Sequence, residues 1–338
     1  MRVWEDRRVQ VVFATRRYMA PGGIADVRVT TRRWWDKSAI GRPMDDVLLL
    51  CPTDVVYCHD HRGMEWPSED WFHDALRKRS SLIHEALVNE AMRQPGNKVL
   101  WHDHFKEMDF EFIDGTQALR WDAKNHPARG LPDAEVRWNH ARSEFDIRDL
   151  LNWCRAVKEL DRFAEMLIVD DDLDVVSYRV KEVQPKGRFE AQFFDGDGAI
   201  GMLNGSSWVS EKGDAAGIPS FLGGHVLDEN SLSEVNDNLG ARVARDMEDK
   251  GLLVRTGFKY GVRWRAYEGD MSENHAPWLV SHPHSLPADW TSACQGSRLS
   301  SGVNKTMLLP VVEGDSVSYV AIVRPPPDAR WSTTRRRQ

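Results

Sequence analysis

At 338 residues the chain exceeds one ordinary domain, and a composition of 41% hydrophobic and 29% charged residues is that of a globular protein able to fill several cores. No run approaches 18 apolar residues, so no membrane span is expected, and the charged start, Met1-Arg-Val-Trp-Glu-Asp-Arg-Arg8, makes a secretory leader unexpected. The four scattered cysteines (Cys51, Cys58, Cys154, Cys294) read as reduced thiols of a cytoplasmic protein.

Net charge is −7, which by itself argues against a nucleic-acid partner. Its distribution argues the other way. Residues 241–338 carry 14 Lys+Arg against 10 Asp+Glu, a net of +4, which leaves −11 for residues 1–240. A basic C-terminal quarter on an acidic body can meet phosphates at one face. Cys51 and Cys58, with His59 and His61, lack the usual zinc spacing, so neither a metal nor a cofactor is expected.

In chain order, Val9–Val56 reads as β-rich and ends near a His61-Arg-Gly63 turn. Two helices follow, Ser68–Arg79 and Leu82–Arg93; Ser68 with Glu69 and Asp70 suits the start of the first, and Pro95-Gly96 stops the second. Strands and loops run to about Gly130. The apolar face of Ile147, Leu150, Leu151, Cys154, Val157 and Leu160 predicts a helix over Phe145–Phe163. Asp195–Gly224 is rich in Gly and Ser and reads as short strands and loops. Leu232, Val235, Leu239, Val243 and Met247 predict a helix over Ser231–Lys250, with Gly251 placed to end it. Strands are expected at Leu252–Thr256, Val262–Glu268, Trp278–His282, Thr306–Val312 and Val317–Val323, and a loose basic tail at Arg330–Gln338.

An internal repeat runs through this pattern. Met166–Tyr178 matches Met307–Tyr319 at an offset of 141 residues, each an apolar strand, an acidic turn and a second strand ending in Val-Ser-Tyr or its equivalent. Weaker echoes pair Trp35–Pro43 with Trp208–Pro219, and Asp109–Gly115 with Arg263–Gly269. The expected fold class is α+β, two tandem copies of one unit. Each copy has a small β-rich N-terminal part and a C-terminal mixed-sheet, nuclease-like part flanked by helices. The boundaries read as 1–95 and 96–183 for the first copy, and 184–230 and 231–338 for the second.

Three blocks carry a resemblance: Gly251-Leu-Leu-Val-Arg-Thr-Gly-Phe-Lys-Tyr-Gly-Val-Arg-Trp-Arg-Ala-Tyr267, His275-Ala-Pro-Trp-Leu-Val280 and Arg298-Leu-Ser-Ser-Gly-Val-Asn-Lys305. Together they resemble the catalytic domain of archaeal tRNA-splicing endonucleases. In that family the Gly-Phe-Lys-Tyr/Phe-Gly strand ends on the catalytic tyrosine, a histidine follows before a Leu-Val strand, and a lysine opens the next strand after a helix. The resemblance thus implies Tyr267, His275 and Lys305 as the catalytic set. It implies Arg298, and more loosely Arg324, as RNA-binding arginines that stack on a flipped base, a use suited to a planar guanidinium. It further implies precursor tRNA with bulge–helix–bulge sites as substrate, ends of 2′,3′-cyclic phosphate and 5′-hydroxyl, and a homodimer. In such a dimer the acidic turn Asp170, Asp171, Asp172 and Asp174 would dock on the partner.

The residue types suit metal-independent RNA cleavage. The ribose 2′-OH needs a base, the departing 5′-oxygen an acid, and the pentacoordinate phosphorus a cation. Histidine suits the acid and lysine the cation; a tyrosine base, with an ordinary pKa of about 10, needs help from neighbours. Taken singly, Tyr267 also fits an edge-strand tyrosine, Lys305 a solvated strand start and Arg298 a helix-surface charge. His275 competes with His282 and His284. The repeat alignment sets Ile113 opposite Tyr267 and Ala164 opposite Lys305, and an Asn125-His126 pair echoes Asn274-His275, so the first copy is expected to be inactive. Departures from the family are the short second N-terminal part, Pro310 within a strand, and Val262-Arg-Trp264 where Asp-Phe is frequent. Two rival readings are a non-catalytic RNA-binding subunit and a metal-dependent nuclease built on Asp109, Asp122 and Lys124.

Overall fold

The computed structural model describes residues 11–12, 24, 26–189, 199–202, 206–210, 220–227, 239–269, 271, 275–326 and 332–333. The first eight residues of the expected 231–250 helix, Asn274 and most of the basic tail lie outside the described residues. The chain divides into two compact units, one of residues 1–144, 152–180 and 324–338, the other of residues 145–151 and 181–323. The fold is mixed α and β, as the sequence predicts.

The first unit opens with strands β1 (Val11–Val12) and β2 (Val27–Val29), helix α1 (Arg33–Ser38), and strands β3 (Arg42–Met44) and β4 (Val47–Leu50), which form an antiparallel sheet in the order β1-β2-β4-β3. The expected β-rich start is therefore interrupted twice by helix. Helix α2 (Pro52–Arg62) begins inside the range read as strand. Pro52 sits at its first position, where the missing N–H has no intrahelical partner to lose, and Gly63 ends it at φ 66°. Helix α3 (Trp71–Lys78) starts after Asp70 rather than at Ser68, whereas α4 (Leu82–Arg93) falls where expected.

Five further strands follow along the chain: β5 (Lys98–Trp101), β6 (Ala118–Trp121), β7 (Ala134–His140), β8 (Phe163–Val169) and β9 (Val175–Val183), with helix α5 (Ile147–Glu159) between β7 and β8. They pair in the order β9-β8-β7-β6-β5. The expected 145–163 helix ends earlier, at Glu159. Asp161 turns left-handed at φ 54°, and Phe163 already begins β8.

In the second unit, β10 (Ile200–Gly201), β11 (Ser207–Val209), β12 (Ser220–Phe221) and β13 (Gly224–Leu227) make a small antiparallel sheet. Helix α6 (Leu239–Asp249) lays Val243, Ala244 and Met247 onto a larger sheet, and Gly251 at φ 76° stops it as expected. That sheet is β14 (Leu253–Thr256), β15 (Trp264–Tyr267), β16 (Trp278–Val280), β17 (Thr306–Glu313) and β18 (Ser316–Val323), in the order β14-β15-β16-β17-β18. Helix α7 (Trp290–Gly302) connects the parallel pair β16 and β17, since parallel neighbours need a crossover. At the far end of the chain β19 (Ser332–Thr333) pairs with β9 in the first unit.

The large sheets of the two units share one strand order and one set of senses. Each has two antiparallel pairings, a parallel pairing across a helix, and a closing hairpin. Pro310 is accommodated inside β17 because β16 ends level with Leu308; beyond that level the lost donor leaves no ladder bond to β16 unmade.

Candidate functional site

Strand register brings the three candidate catalytic residues to one edge of the second unit's sheet. Tyr267 closes β15, opposite Leu253 of β14. Ala266 pairs with Trp278 and Trp278 with Thr306, so Tyr267, Pro277 and Lys305 stand level on three neighbouring strands, one residue beyond the last β15–β16–β17 pairing. The Thr306 N–H donates to the Pro277 carbonyl (2.9 Å), which locks that level. Arg265, Leu279 and Met307 lie abreast two residues in. Strand alternation therefore puts Tyr267 and Lys305 on the face of Leu279 and Met307. Helix α7 covers this face, where its Gly296 abuts the Met307 side chain; Trp264, Ala266, Val280 and Leu308 face α6 on the other side.

Each side chain has an identifiable support. Tyr267 is buried, packed with Leu253 and Ala276 and flanked by Phe189, and the Arg265 guanidinium carbon lies 5.6 Å from its ring centre. Lys305 follows the end of α7. Asn304 turns left-handed at φ 55°, and the Lys305 N–H donates to the Ser300 carbonyl (2.9 Å), so the chain leaves the helix directly into β17. The Lys305 Nζ donates to the Ala276 carbonyl at 2.6 Å and lies 5.4 Å from the Tyr260 ring centre. Its ammonium is thereby held beside the segment that carries His275. His275 itself is exposed, one residue before buried Ala276.

The other two histidines sit past the opposite end of β16. His282 stacks against Trp264 (5.8 Å between ring centres) and accepts from the His284 N–H, and burial together with His284 and Arg263 pushes its imidazole pKa down. Of the three, only His275 lies at the Tyr267 and Lys305 edge.

Helix α7 is fixed at its start by Asp289, whose carboxylate accepts from the Ser292 N–H (2.8 Å) and hydroxyl (2.7 Å); these bonds hold its pKa low. The Phe145 N–H donates to the Ala288 carbonyl, and its ring meets Trp290 edge-on. Arg298 is exposed on this helix, seven residues before Lys305. Arg324 is exposed just beyond β18 and falls in the first unit. In the acidic turn, Asp170 accepts from the Asp172 and Asp174 N–H groups, and Asp171 pairs with Arg142, which keeps its carboxyl pKa low. At least the Asp170 and Asp171 carboxylates are thus occupied within their own unit.

The same register gives a different matching of positions between the two units from the sequence alignment. In the first unit Trp121 ends β6 as Tyr267 ends β15, paired with Lys98 as Tyr267 is with Leu253. Asp161 repeats the left-handed turn of Asn304, the Arg162 N–H donates to the Val157 carbonyl as that of Lys305 does to Ser300, and the Phe163 N–H donates to Asp133 as that of Thr306 does to Pro277. The counterpart of Lys305 is therefore Arg162, not Ala164, that of Tyr267 is Trp121, not Ile113, and Leu131 stands at the level of His275. Ile113 lies before β6 with its N–H on Glu135, and His126 bonds the Trp35 carbonyl, a structural role. Arg162 is buried and donates to Glu135 (2.8 Å) and to the Glu111 carbonyl (2.7 Å). A single sequence offset misses this because equivalent positions stand 143 residues apart at Arg162 and Lys305 but 146 apart at Trp121 and Tyr267, so no one offset aligns every strand.

Among the described residues, two groups have metal-ligand chemistry: buried Cys51, Asp54 and His104, and Asp60, His61 and Glu90. Neither contains Asp109 or Asp122, and Asp122 pairs with Arg120. The first group was not foreseen, because Asp54 and His104 are fifty residues apart. Arg93 lies 3.6 Å from Asp54 and supplies positive charge to that carboxylate.

Comparison with known proteins agrees with the resemblance read from the three blocks. Residues 239–319 match the family model described as tRNA intron endonuclease, catalytic C-terminal domain. A tRNA-splicing endonuclease of Methanococcoides burtonii is 23% identical over 345 residues, covering 86% of this chain and 94% of the relative. Another from Thermoplasma volcanium is 28% identical over 165 residues, covering 46% and 53%. A third from Thermococcus kodakarensis is 33% identical over 85 residues, covering 24% and 48%, so these two alignments span about half of each relative.

Proposed function

We propose that this chain, whose residues 239–319 match the tRNA intron endonuclease catalytic domain, is an endoribonuclease that removes introns from precursor tRNA. The observation that carries the reading is the convergence of Tyr267, the His275-Ala-Pro277 segment and Lys305 on one sheet edge, with the Lys305 ammonium tied to the Ala276 carbonyl.

In this reading Tyr267 takes the proton of the ribose 2′-OH, whose oxygen attacks the adjacent phosphorus. The bond to the 5′-oxygen breaks as His275 delivers a proton to it, leaving a 2′,3′-cyclic phosphate and a 5′-hydroxyl. Lys305 faces the phosphoryl oxygens, where negative charge builds in the transition state. The Ala276 carbonyl limits where the ammonium can swing, so the cation is placed before substrate arrives. No step in this scheme calls for a metal ion. Exposed Arg298, on the helix that leads into Lys305, presents its guanidinium to an unpaired base of a bulge–helix–bulge site.

The first unit is read as a degenerate copy. Trp121 has no acidic proton to exchange as a base, Leu131 no proton to give, and Arg162 spends its charge on Glu135. Its contribution is to assembly: two chains form a homodimer through the 170–174 turn, with one working site in each.

The test is cleavage of a model precursor tRNA in excess EDTA by the wild type and by His275→Ala, with end-group analysis. Wild type should leave cyclic phosphate and 5′-hydroxyl ends, and the variant should lose roughly two to four orders of magnitude in rate. Equal rates would remove His275 as the acid, and activity abolished by EDTA would favour the metal-dependent alternative.

A further inference from the structure

We infer that the second unit holds a pocket for one unpaired nucleobase beside the cleaved phosphate, with Tyr260 as its stacking face. This rests on the reading of the chain as an RNA-cleaving enzyme, and it concerns a place distinct from Arg298.

A half-open cavity of about 460 Å³ lies on the α7 side of β16 and β17, between the Lys259–Val262 turn and the C-terminal half of α7. Residues 257–261 lie between two expected strands, although the family resemblance sets them within one; Phe258–Tyr260 forms a single 3-10 turn, closed by Gly261 at φ 68°. The cavity walls are apolar where a flat ring would lie, with Tyr260, Leu279, Leu299 and Met307. Ser281 and Gln295 supply donors and acceptors suited to base edges. Among the described lining residues Lys259 alone is charged.

That lining selects the guest. A phosphate or an acidic peptide would call for several cations, whereas a base needs apolar faces, an aromatic platform and a few edge contacts. Position selects it further. Tyr260 both lines the cavity and faces the Lys305 ammonium, so a base stacked on Tyr260 has its own sugar–phosphate within reach of the cation. The rim residue Leu299 is 63% exposed and Phe258 in the adjoining turn 86%, apolar surface left uncovered next to the candidate chemistry.

The experiment uses the full chain and a fluorescent bulge–helix–bulge RNA with a 2′-deoxyribose at the cleaved linkage, which binds but cannot react. Dissociation constants are measured for this RNA and for versions carrying an abasic sugar at each bulge position in turn. One abasic position should weaken binding about ten-fold. Tyr260→Leu should weaken binding of the intact RNA by a similar factor, yet add little further loss on that abasic RNA, the non-additivity of two changes to one contact. Because Tyr260 also faces Lys305, Leu299→Ala provides a second variant on the exposed rim, with the same non-additivity at smaller size. Losses that multiply at every abasic position in both variants would overturn the pocket. Cleavage of the all-ribose RNA is scored separately, so failure of the enzymatic reading and failure of the pocket give different results.

Discussion

At the scale of single residues, charge placement separates the candidate site from the core of the first unit. Lys305 is half-buried, with its ammonium on a backbone carbonyl and no carboxylate paired with it among the described residues, a state in which its charge is available to a phosphate. Arg162, at the equivalent position, is buried against Glu135 and is spent on structure. Such buried pairs stabilise little over a well-packed apolar alternative, but breaking one side is costly. Asp26 is the opposite case. Burial, with Asp103 adding to it and His104 and Arg42 opposing, pushes its pKa up to about 6, and its Oδ1 is buried without a hydrogen-bond partner among the described residues. A carboxyl whose folded pKa lies above its unfolded value binds more protons when folded, so stability falls as pH rises from about 4 to about 6 and stays low above that. Asp26→Asn should therefore raise Tm at pH 7.5 and leave it nearly unchanged at pH 4. A shift of equal size at both values would show that the Asp26 carboxyl does not titrate in that window.

At the scale of elements, the site depends on how helices end. Asn304 lets α7 pass into β17 in one step, which sets Lys305 level with Pro277 and Tyr267. Gly251 does the same for α6 and β14. Its φ of 76° and a virtual Cβ 2.7 Å from the Gly187 carbonyl oxygen leave no room for a side chain. Gly251→Ala should cost roughly 1–2 kcal/mol from the left-handed backbone alone, and more from the clash. Urea unfolding reads this directly, and an unchanged midpoint would contradict the packing of Gly187 on Gly251. The glycine was legible because it follows a run of helical periodicity. The 3-10 turn at Phe258–Tyr260 was not, since a three-residue turn has no period to detect.

At the scale of the whole molecule, two sheets of one topology carry different side chains at the same edge. Assembly is tested by charge reversal confined to Asp172 and Asp174, which leaves in place the Asp170 turn cap and the Asp171–Arg142 pair. The double Lys variant should elute as a monomer on a sizing column at moderate salt, while the wild type elutes as a dimer. An unchanged elution volume would remove the acidic turn from the interface.

Periodicity, stop signals and three sequence blocks were enough to place α4, α6 from Leu239 onward and the five strands β14 to β18, and to single out Tyr267, His275 and Lys305 as candidates. These features are local, written within a few residues of where they act. What only the tertiary structure decided is register: that Tyr267, Pro277 and Lys305 are level, that Trp121 and Arg162 take the equivalent places in the first unit, and that Tyr260 folds back to face the lysine. Register depends on hydrogen bonds between strands tens of residues apart, and loop insertions between them change the spacing along the chain without moving the strands.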